Sequence, residues 1–201
     1  MAVTDELVDA NEKFAAGFDQ GGLPMPPARH VTVVACMDAR LHPEKFLGLE
    51  IGDAHVIRNA GGRASDDAVR SLIISQRLLG TKEVLVIHHT DCGMLTFTNE
   101  QLRDKLKAET GADASNIDFL PFPDLEQSVR DDVKRIQDSP FVDKDIKVTA
   151  RNDIPIGHKL ALRDYREGDT VIKYGVDIGK VVQPIRKGEH LHVHNVKTKR
   201  W

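Results

Sequence analysis

Two cysteines and one histidine are the side chains of this sequence most suited to chemistry. The run "VIHHTDCGM" places His89 three positions before Cys92, and the other cysteine of the chain, Cys36, lies in "VVACMDAR". Small buried side chains, a disulfide and a shared metal site are three interpretations of such cysteines. Zinc prefers thiolate and imidazole ligands, and three protein ligands leave a fourth position for water, as in catalytic sites. The joined pattern HxxCG and CxDxR therefore favours a catalytic Zn²⁺ site.

A carboxylate and a guanidinium follow Cys36 at intervals of two residues, as Asp38 and Arg40. A carboxylate next to metal-bound water can accept a hydrogen bond from it, and an arginine can keep that carboxylate ionised and oriented. Zinc lowers the pKa of its bound water to about 7, which supplies a nucleophile near neutral pH. These flanking residues fit the chemistry of a hydrolytic or hydrating zinc enzyme.

The composition is that of an ordinary globular protein: 201 residues, 40% hydrophobic and 29% charged, with a formal net charge of −3. Mild acidity argues against nucleic acid as the main partner. No apolar stretch approaches the roughly 20 residues of a membrane helix, so we expect no membrane association. The first residues do not resemble a signal peptide, which predicts a cytoplasmic, reducing compartment and disfavours a disulfide.

The elements that must position these residues alternate between strands and helices. The apolar runs "HVTVVAC", "AHVIRN" and "KEVLVIHH" predict buried strands, and amphipathic patterns predict helices over residues 4–18, 65–80, 99–109 and 124–138. This alternation predicts an α/β fold with a mostly parallel β-sheet flanked by helices. Ligand sites of such sheets lie beyond the carboxyl ends of the strands, where Cys36 and His89 can meet although 53 positions separate them.

Two further histidines near these motifs have a structural and a functional interpretation. Strand alternation directs His88 away from its neighbour His89, so a core or interface role is favoured over metal binding. His42 follows Arg40 closely and could relay protons, but an exposed loop position is the simpler interpretation.

The sequence changes character after about residue 147. A related phrase occurs three times, as "IPIGHKLAL", "YREGDTVIK" and "IRKGEHLHV", each with a turn glycine before a short strand: Gly157, Gly168 and Gly188. Recurrent short strands of this kind predict a small β-rich C-terminal segment. We therefore divide the chain into a zinc-binding domain over residues 1–146 and a second segment over residues 147–201.

Alternating histidines in "HLHVHN" suggest a second ligand site. On a strand, His190, His192 and His194 share one face and could bind a metal or an anionic sugar acid, with His158 in the same segment. The alternative is the exposed face of an edge strand. This secondary site is a hypothesis, without an assigned metal.

The motifs "CMDAR", "VIRNAGG" and "HHTDCGM", in this order, resemble the β-class carbonic anhydrases over roughly residues 1–142. The resemblance implies reversible hydration of carbon dioxide to bicarbonate by zinc-bound hydroxide. The zinc ligands would be Cys36, His89 and Cys92. The catalytic dyad would be Asp38 and Arg40. In some members the aspartate instead binds zinc and its arginine is released, a choice that the sequence leaves open. Carbonyl sulfide or carbon disulfide is an alternative substrate for the same site.

The resemblance also implies how this domain assembles. The N-terminal helix of the family packs on a partner subunit, with the active site near the interface, so we expect a homodimer or a higher homo-oligomer. The apolar stripe of Leu7, Phe14 and Phe18 would then be covered. Asn59 and Gly61, at the end of the second strand, are candidates for substrate binding, and Asn59 could equally be an ordinary strand-end polar group.

Residues 150–196 resemble a different family, the small SAF-type β module of altronate and galactarate dehydratases. The opening portion of the module and the large catalytic part of such enzymes are missing from this sequence. The resemblance implies an alternative function, in which the segment binds a sugar acid or belongs to a dehydratase subunit.

Overall fold

The computed structural model describes residues 2–143, 145, 147–148, 159–161, 163–173, 176–186, 189–191 and 194–197. Its helices are α1 (Val3–Ala16), α2 (Pro43–Leu47), α3 (Asp66–Leu79), α4 (Asn99–Thr110) and α5 (Leu125–Asp138). Its strands are β1 (Val31–Cys36), β2 (Ala54–Asn59), β3 (Glu83–Ile87), β4 (Lys147–Val148), β5 (Lys159–Leu160), β6 (Thr170–Lys173), β7 (Val176–Val181), β8 (His190–Leu191) and β9 (Val196–Lys197).

Side-chain caps determine where the predicted helices begin. The side chains of Ser65, Thr98 and Asp124 each accept a hydrogen bond from a backbone N–H in the first turn of α3, α4 and α5. Gly80 ends α3 in the left-handed conformation with φ 73°. The predicted helices are thus confirmed, with ends close to the expected ones. Helix α2 was not predicted, because five residues are too few to show a helical period.

Four strands form a parallel sheet in the order β2-β1-β3-β4. Ala35 pairs with Ile87, so the carboxyl ends of β1 and β3 lie side by side. Strand β4 pairs with the first two residues of β3 and lies at the sheet edge opposite to β2. The prediction of a mostly parallel sheet flanked by helices is confirmed.

The sheet is covered on both faces, which explains the mostly apolar sequences of β1 and β3. One face packs Val34, Val84 and Val86 with Leu72 of α3 and Ile136 of α5. The other face packs Val33, Ala35 and Ile87 against Leu47 of α2. Burial on both sides fixes the sheet and therefore the loops at its carboxyl edge.

The C-terminal segment is built of short antiparallel strands. Strands β5 and β8 form one pair, and a second sheet has the order β6-β7-β9. Their shared core consists of Ala161, Val171, Val181, Ile185 and Leu191. The predicted small β-rich segment is confirmed. Gly168 has φ +94°, as a turn requires, whereas Gly157 and Gly188 lie outside the described residues.

Strand β4 belongs to the parallel sheet although it lies just past the proposed division at residue 146. That division remains a proposal. Among the described residues, no helix has the length and apolar character needed to cross a bilayer.

Candidate metal centre

Two strands of the parallel sheet bring three potential metal ligands together. Cys36 is the last residue of β1, while His89 and Cys92 lie in the loop after β3. One ligand atom from each of the three lies within 4.8 Å of the others, and the two Sγ atoms are 3.9 Å apart. Two sulfurs bound to one zinc ion at about 2.3 Å lie about 3.8 Å apart at the tetrahedral angle. The spacing fits zinc, and it is far longer than a disulfide bond of about 2 Å.

The imidazole of His89 is prepared to bind a cation. Its Nδ1 lies 2.8 Å from the carbonyl oxygen of Thr90, and since a carbonyl only accepts, Nδ1 carries the proton. The Nε2 lone pair is therefore free, and this atom is buried with no hydrogen-bond partner within the described part of the chain. Burying an unpaired polar atom is unfavourable, so this atom fits the role of a metal ligand.

The two thiols differ in acidity. Burial alone would raise the pKa of Cys36, but the nearby His89 ring, which stabilises the thiolate when it is protonated, and the backbone of Asp38 and Gly61 outweigh it and lower the pKa to about 7. Burial raises the pKa of Cys92 to about 11, and the neighbouring Cys36 adds to this effect. Cys36 is thus the readier thiolate, and Cys92 needs a cation to lose its proton near neutral pH.

Asp38 and Arg40 form a close ion pair beside the three ligands. Arg40 Nη2 donates to Asp38 Oδ2 at 2.7 Å and Arg40 Nε donates to Asp38 Oδ1 at 3.0 Å. Hydrogen bonds from Arg40 hold the pKa of Asp38 far below its usual range. The Asp38 Oδ2 atom is 3.9 Å from Nε2 of His89, so this ionised carboxylate lies next to the metal-binding atoms.

Sequence reasoning missed a second carboxylate in this ion pair. Asp91, which has φ +54°, accepts from Arg40 Nη1 through Oδ2 at 2.7 Å and from Nη2 through its carbonyl oxygen at 3.0 Å. Arg40 is therefore held by two acidic residues from two different loops. The sequence shows only that an acidic residue, Asp91, lies between His89 and Cys92. It does not show the positive φ that directs Asp91 towards Arg40.

Residues at the end of β2 support the loop that carries Asp38. Arg58 donates to the carbonyl oxygens of Cys36, at 3.1 Å, and of Asp38, at 2.7 Å. Both ends of the Asn59 amide bond the backbone of Arg63, at 2.7 and 2.8 Å. These contacts show a structural use for Asn59, and its role in substrate binding stays a prediction.

Gly61 approaches the centre through its backbone. It has φ +81°, and an added Cβ would lie 2.9 Å from Cγ of Met94. Only glycine suits this conformation and space. A role for Gly61 in substrate binding stays a prediction.

An apolar wall surrounds the two cysteines. It consists of Leu41, Met94 and Phe122, with partly buried Phe46, Ala60, Leu95, Phe97 and Leu125 packed against it. Such a wall keeps bulk water from the ligands and strengthens electrostatic interactions at the centre. It also suits a small substrate without charge.

No other histidine that the structure describes belongs to this cluster of ligands. The buried ring of His88 has Nδ1 2.7 Å from Oγ of Ser128, which confirms its structural role. His42 is exposed and lies 3.9 Å from the Glu44 carboxylate. Of the predicted second site, His158 and His192 lie outside the described residues, as does the side chain of His190, and His194 is exposed. Within the described ranges, Cys36, His89 and Cys92 form the one cluster able to hold a metal.

The C-terminal part of the chain is similar to a second family. A family model described as the altronate/galactarate dehydratase SAF domain matches residues 128–199. The (2R)-sulfolactate sulfo-lyase subunit alpha of Chromohalobacter salexigens is 66% identical over 59 residues, which are 29% of this chain and 63% of that protein.

The larger part of the chain is similar to carbonic anhydrases and to carbon disulfide hydrolases. A family model described as carbonic anhydrase matches residues 31–152. Beta-carbonic anhydrase 1 of Mycobacterium tuberculosis is 50% identical over 146 residues, which cover 72% of this chain and 87% of that protein. Carbon disulfide hydrolase of Saccharolobus solfataricus is 38% identical over 132 residues, 65% of this chain and 63% of that protein.

A crystal structure gives the same assignment in three dimensions. The carbonic anhydrase of Streptococcus mutans superposes with a TM-score of 0.70 at 47% identity, covering 74% of this chain and 89% of that chain. The family match spans more than half of this chain, and the sequence and structural relatives agree with it. The chain belongs to the β-carbonic anhydrase family.

Proposed function

We propose that this protein catalyses the reversible hydration of carbon dioxide to bicarbonate at a zinc site held by Cys36, His89 and Cys92. The observation that carries the proposal is the buried, unpaired Nε2 of His89 next to two sulfurs spaced for one zinc ion. Family membership supports it independently.

The residues around this site have separate tasks. Zinc, when bound, supplies a Lewis acid that makes water nucleophilic near neutral pH. The Asp38 carboxylate accepts a hydrogen bond from the attacking water and orients it, and Arg40 keeps the carboxylate ionised and fixed. The apolar wall around Met94 and Phe122 admits an uncharged substrate and excludes competing water.

The experiment measures zinc content and stopped-flow carbon dioxide hydration on the same samples. We expect about one zinc per chain in the wild type. In Cys92→Ala zinc should be nearly lost, and kcat/KM should fall by more than about 100-fold. Ser75→Ala, which removes a buried polar group bonded to Thr32 at the start of β1, is the control and should keep its zinc. Full hydration activity in a zinc-free variant would refute the proposal.

Carbon disulfide or carbonyl sulfide is the second candidate substrate, favoured by the similarity to carbon disulfide hydrolase. Both molecules are linear, uncharged electrophiles that the same nucleophile can attack. Sulfide release distinguishes them from carbon dioxide. A kcat/KM for sulfide release above that for bicarbonate formation would assign the chain to the second reaction.

We infer a separate ligand for the C-terminal segment, an anionic hydroxy acid of the sugar-acid or sulfolactate type. The match to the SAF domain and the relative named a sulfo-lyase subunit support this inference. Calorimetry on the whole chain with galactarate, altronate and sulfolactate tests it. Absence of binding heat with all three acids would refute it.

We further propose that the protein is a homodimer in the cytoplasm. Helix α1 has no buried residue, and Leu7, Phe14 and Phe18 are 65%, 56% and 41% exposed. A second copy would remove this apolar stripe from water. The cytoplasmic location is supported by two free cysteines, which a reducing compartment preserves.

A further inference from the structure

A buried charged cluster lies behind the metal centre and takes no part in the chemistry described so far. Asp132 of α5 accepts from Arg63 Nε at 2.8 Å and from Arg63 Nη2 at 3.1 Å. The same carboxylate lies 3.1 Å from Nε2 of His88. The side chains of Asp132, Arg63 and His88 are 2%, 12% and 0% exposed. Such desolvation is costly, and apolar side chains of similar volume would often serve stability equally well.

The cluster is connected to the loop at residues 61–62. Nε2 of His88 also lies 3.2 Å from the carbonyl oxygen of Gly62. Because neither this oxygen nor the ionised Asp132 can donate, Nε2–H of His88 donates to both. Asp132 thereby fixes the ring that holds the Gly62 carbonyl.

The same loop lies directly against a metal ligand. Gly62 has φ +69°, and an added Cβ would lie 2.8 Å from the backbone nitrogen of Cys36 and 2.8 Å from the carbonyl oxygen of Ile87. Gly61, the preceding residue, lies against Met94, which packs with both cysteines. The loop is thus enclosed between His88 on one side and Cys36 on the other.

A second contact joins the cluster to the apolar wall. The ring of Phe122 stacks on His88 with centroids 5.3 Å apart, and the guanidinium of Arg63 lies 5.3 Å from the same ring. Phe122 packs in turn with Cys36 and Cys92. Two residues thus lie between the Asp132 carboxylate and the ligands on each of two routes, His88 and Gly62 on one and Arg63 and Phe122 on the other.

We propose that Asp132 is a positioning residue of the metal centre, which acts through His88 and Arg63 to hold residues 61–62 and Phe122 against the two cysteines. This inference rests on the proposed metal site and names a residue on which its affinity depends. Groups that orient metal ligands from outside the coordination sphere change metal affinity by about 10- to 100-fold when removed. A purely structural carboxylate would alter the stability of the fold and leave the affinity unchanged.

The test replaces the buried charge and keeps its shape, in Asp132→Asn. The metal-free protein is titrated with Co²⁺ in the presence of a competing chelator, and the thiolate-to-cobalt charge-transfer band is recorded. We expect the wild type to show the band, and Asp132→Asn to bind Co²⁺ about 10- to 100-fold more weakly, with a shifted band. Asp131→Asn is the matched control, because this neighbouring carboxylate is exposed and bonds Gln127. It should match the wild type.

Three outcomes would contradict the proposal in distinguishable ways. A folded Asp132→Asn protein with wild-type affinity and spectrum overturns the positioning role and leaves the metal site intact. A wild-type protein without a charge-transfer band overturns the metal site itself, and the positioning role with it. If Asp132→Asn does not fold, Ser128→Ala decides, since it removes only the hydroxyl at Nδ1 of His88. Unchanged Co²⁺ affinity in that variant also overturns the proposal.

Discussion

Arg40 is held by Asp91 as well as by Asp38, through a side-chain contact of 2.7 Å to each carboxylate. Asp38 is largely shielded, with 16% of its side chain exposed, whereas Asp91 is 81% exposed. The exposed carboxylate of Asp91 thus restrains the half-exposed side chain of Arg40. We conclude that the orientation of the Asp38–Arg40 pair depends on a residue of the loop that carries two of the three ligands.

Removing the Asp91 carboxylate should lower the catalytic efficiency modestly. Exposed ion pairs contribute little, so Asp91→Ala should lower kcat/KM for hydration by about two- to five-fold. Arg40→Ala, which leaves Asp38 without its guanidinium, should lower it by more than about ten-fold. The control is Asp67→Ala, which breaks an exposed pair with Arg70 on α3. Equal effects of Asp91→Ala and the control would contradict this prediction.

Metal affinity should rise with pH, because thiols must lose protons to bind zinc. The pKa of Cys36 is lowered to about 7 and that of Cys92 is raised to about 11. Below pH 7 two thiol protons are displaced, and Cys36 outweighs burial and raises the pKa of His89, so that an imidazole proton adds to them. The logarithm of the apparent association constant should therefore rise by about two or more per pH unit. Between pH 7 and 11 one proton remains to be displaced, and the slope should be about one.

Competition with a chelator between pH 6 and 9 measures these slopes. Cys36→Asp is the informative variant, since a carboxylate stays ionised over this range. Its slope below pH 7 should be lower than that of the wild type by about one, because the Cys36 proton is no longer displaced. An affinity independent of pH in the wild type would show that the thiols are not ligands.

Position 62 should accept no side chain. Gly62 and Gly111 both have positive φ, at 69° and 74°, but an added Cβ meets backbone atoms at Gly62 and nothing within 4 Å at Gly111. We expect Gly111→Ala to lower the free energy of unfolding by about 1 kcal/mol. Gly62→Ala should cost about 1–3 kcal/mol more from overpacking. Denaturant unfolding of both variants measures the difference, and equal losses would refute the prediction.

Polar substitutions on α1 should dissociate the proposed dimer. Replacing Leu7 and Phe14 with serine removes apolar area that would be buried between two copies, and burial of one such side chain contributes about 1.5–3 kcal/mol. We expect the dissociation constant from analytical ultracentrifugation to rise by more than about 100-fold. Glu12→Ser on the same helix is the control. An unchanged mass distribution in the double variant would exclude α1 from the interface.

The sequence predicted those parts of the fold in which burial leaves a local pattern. Strands β1 and β3 are mostly apolar because both faces of the sheet are covered. Their carboxyl ends could therefore be located, and with them Cys36 and His89. The conformation of Asp91 could not be predicted, since its positive φ arises from the loop as a whole.

Contacts between elements that are distant along the chain could not be predicted from the sequence either. Asp132 and His88 are 44 positions apart. The helical period places Asp132, unlike its neighbour Asp131, on the same face of α5 as Ile136, but it does not identify the partners of the carboxylate. The ion pairs of Asp132 with Arg63 and His88 are evident only when the helix is packed on the sheet. The same holds for Ser128, which meets His88 one turn earlier on α5.

Strand β4 gives the two parts of this chain a common boundary region. Residues 128–152 belong to both family matches and contain most of α5 and all of β4. A break between these two elements would take the last strand away from the parallel sheet, and a break before α5 would remove Asp132 and Ser128 from His88. A single cut within residues 128–152 would therefore remove residues from both family matches.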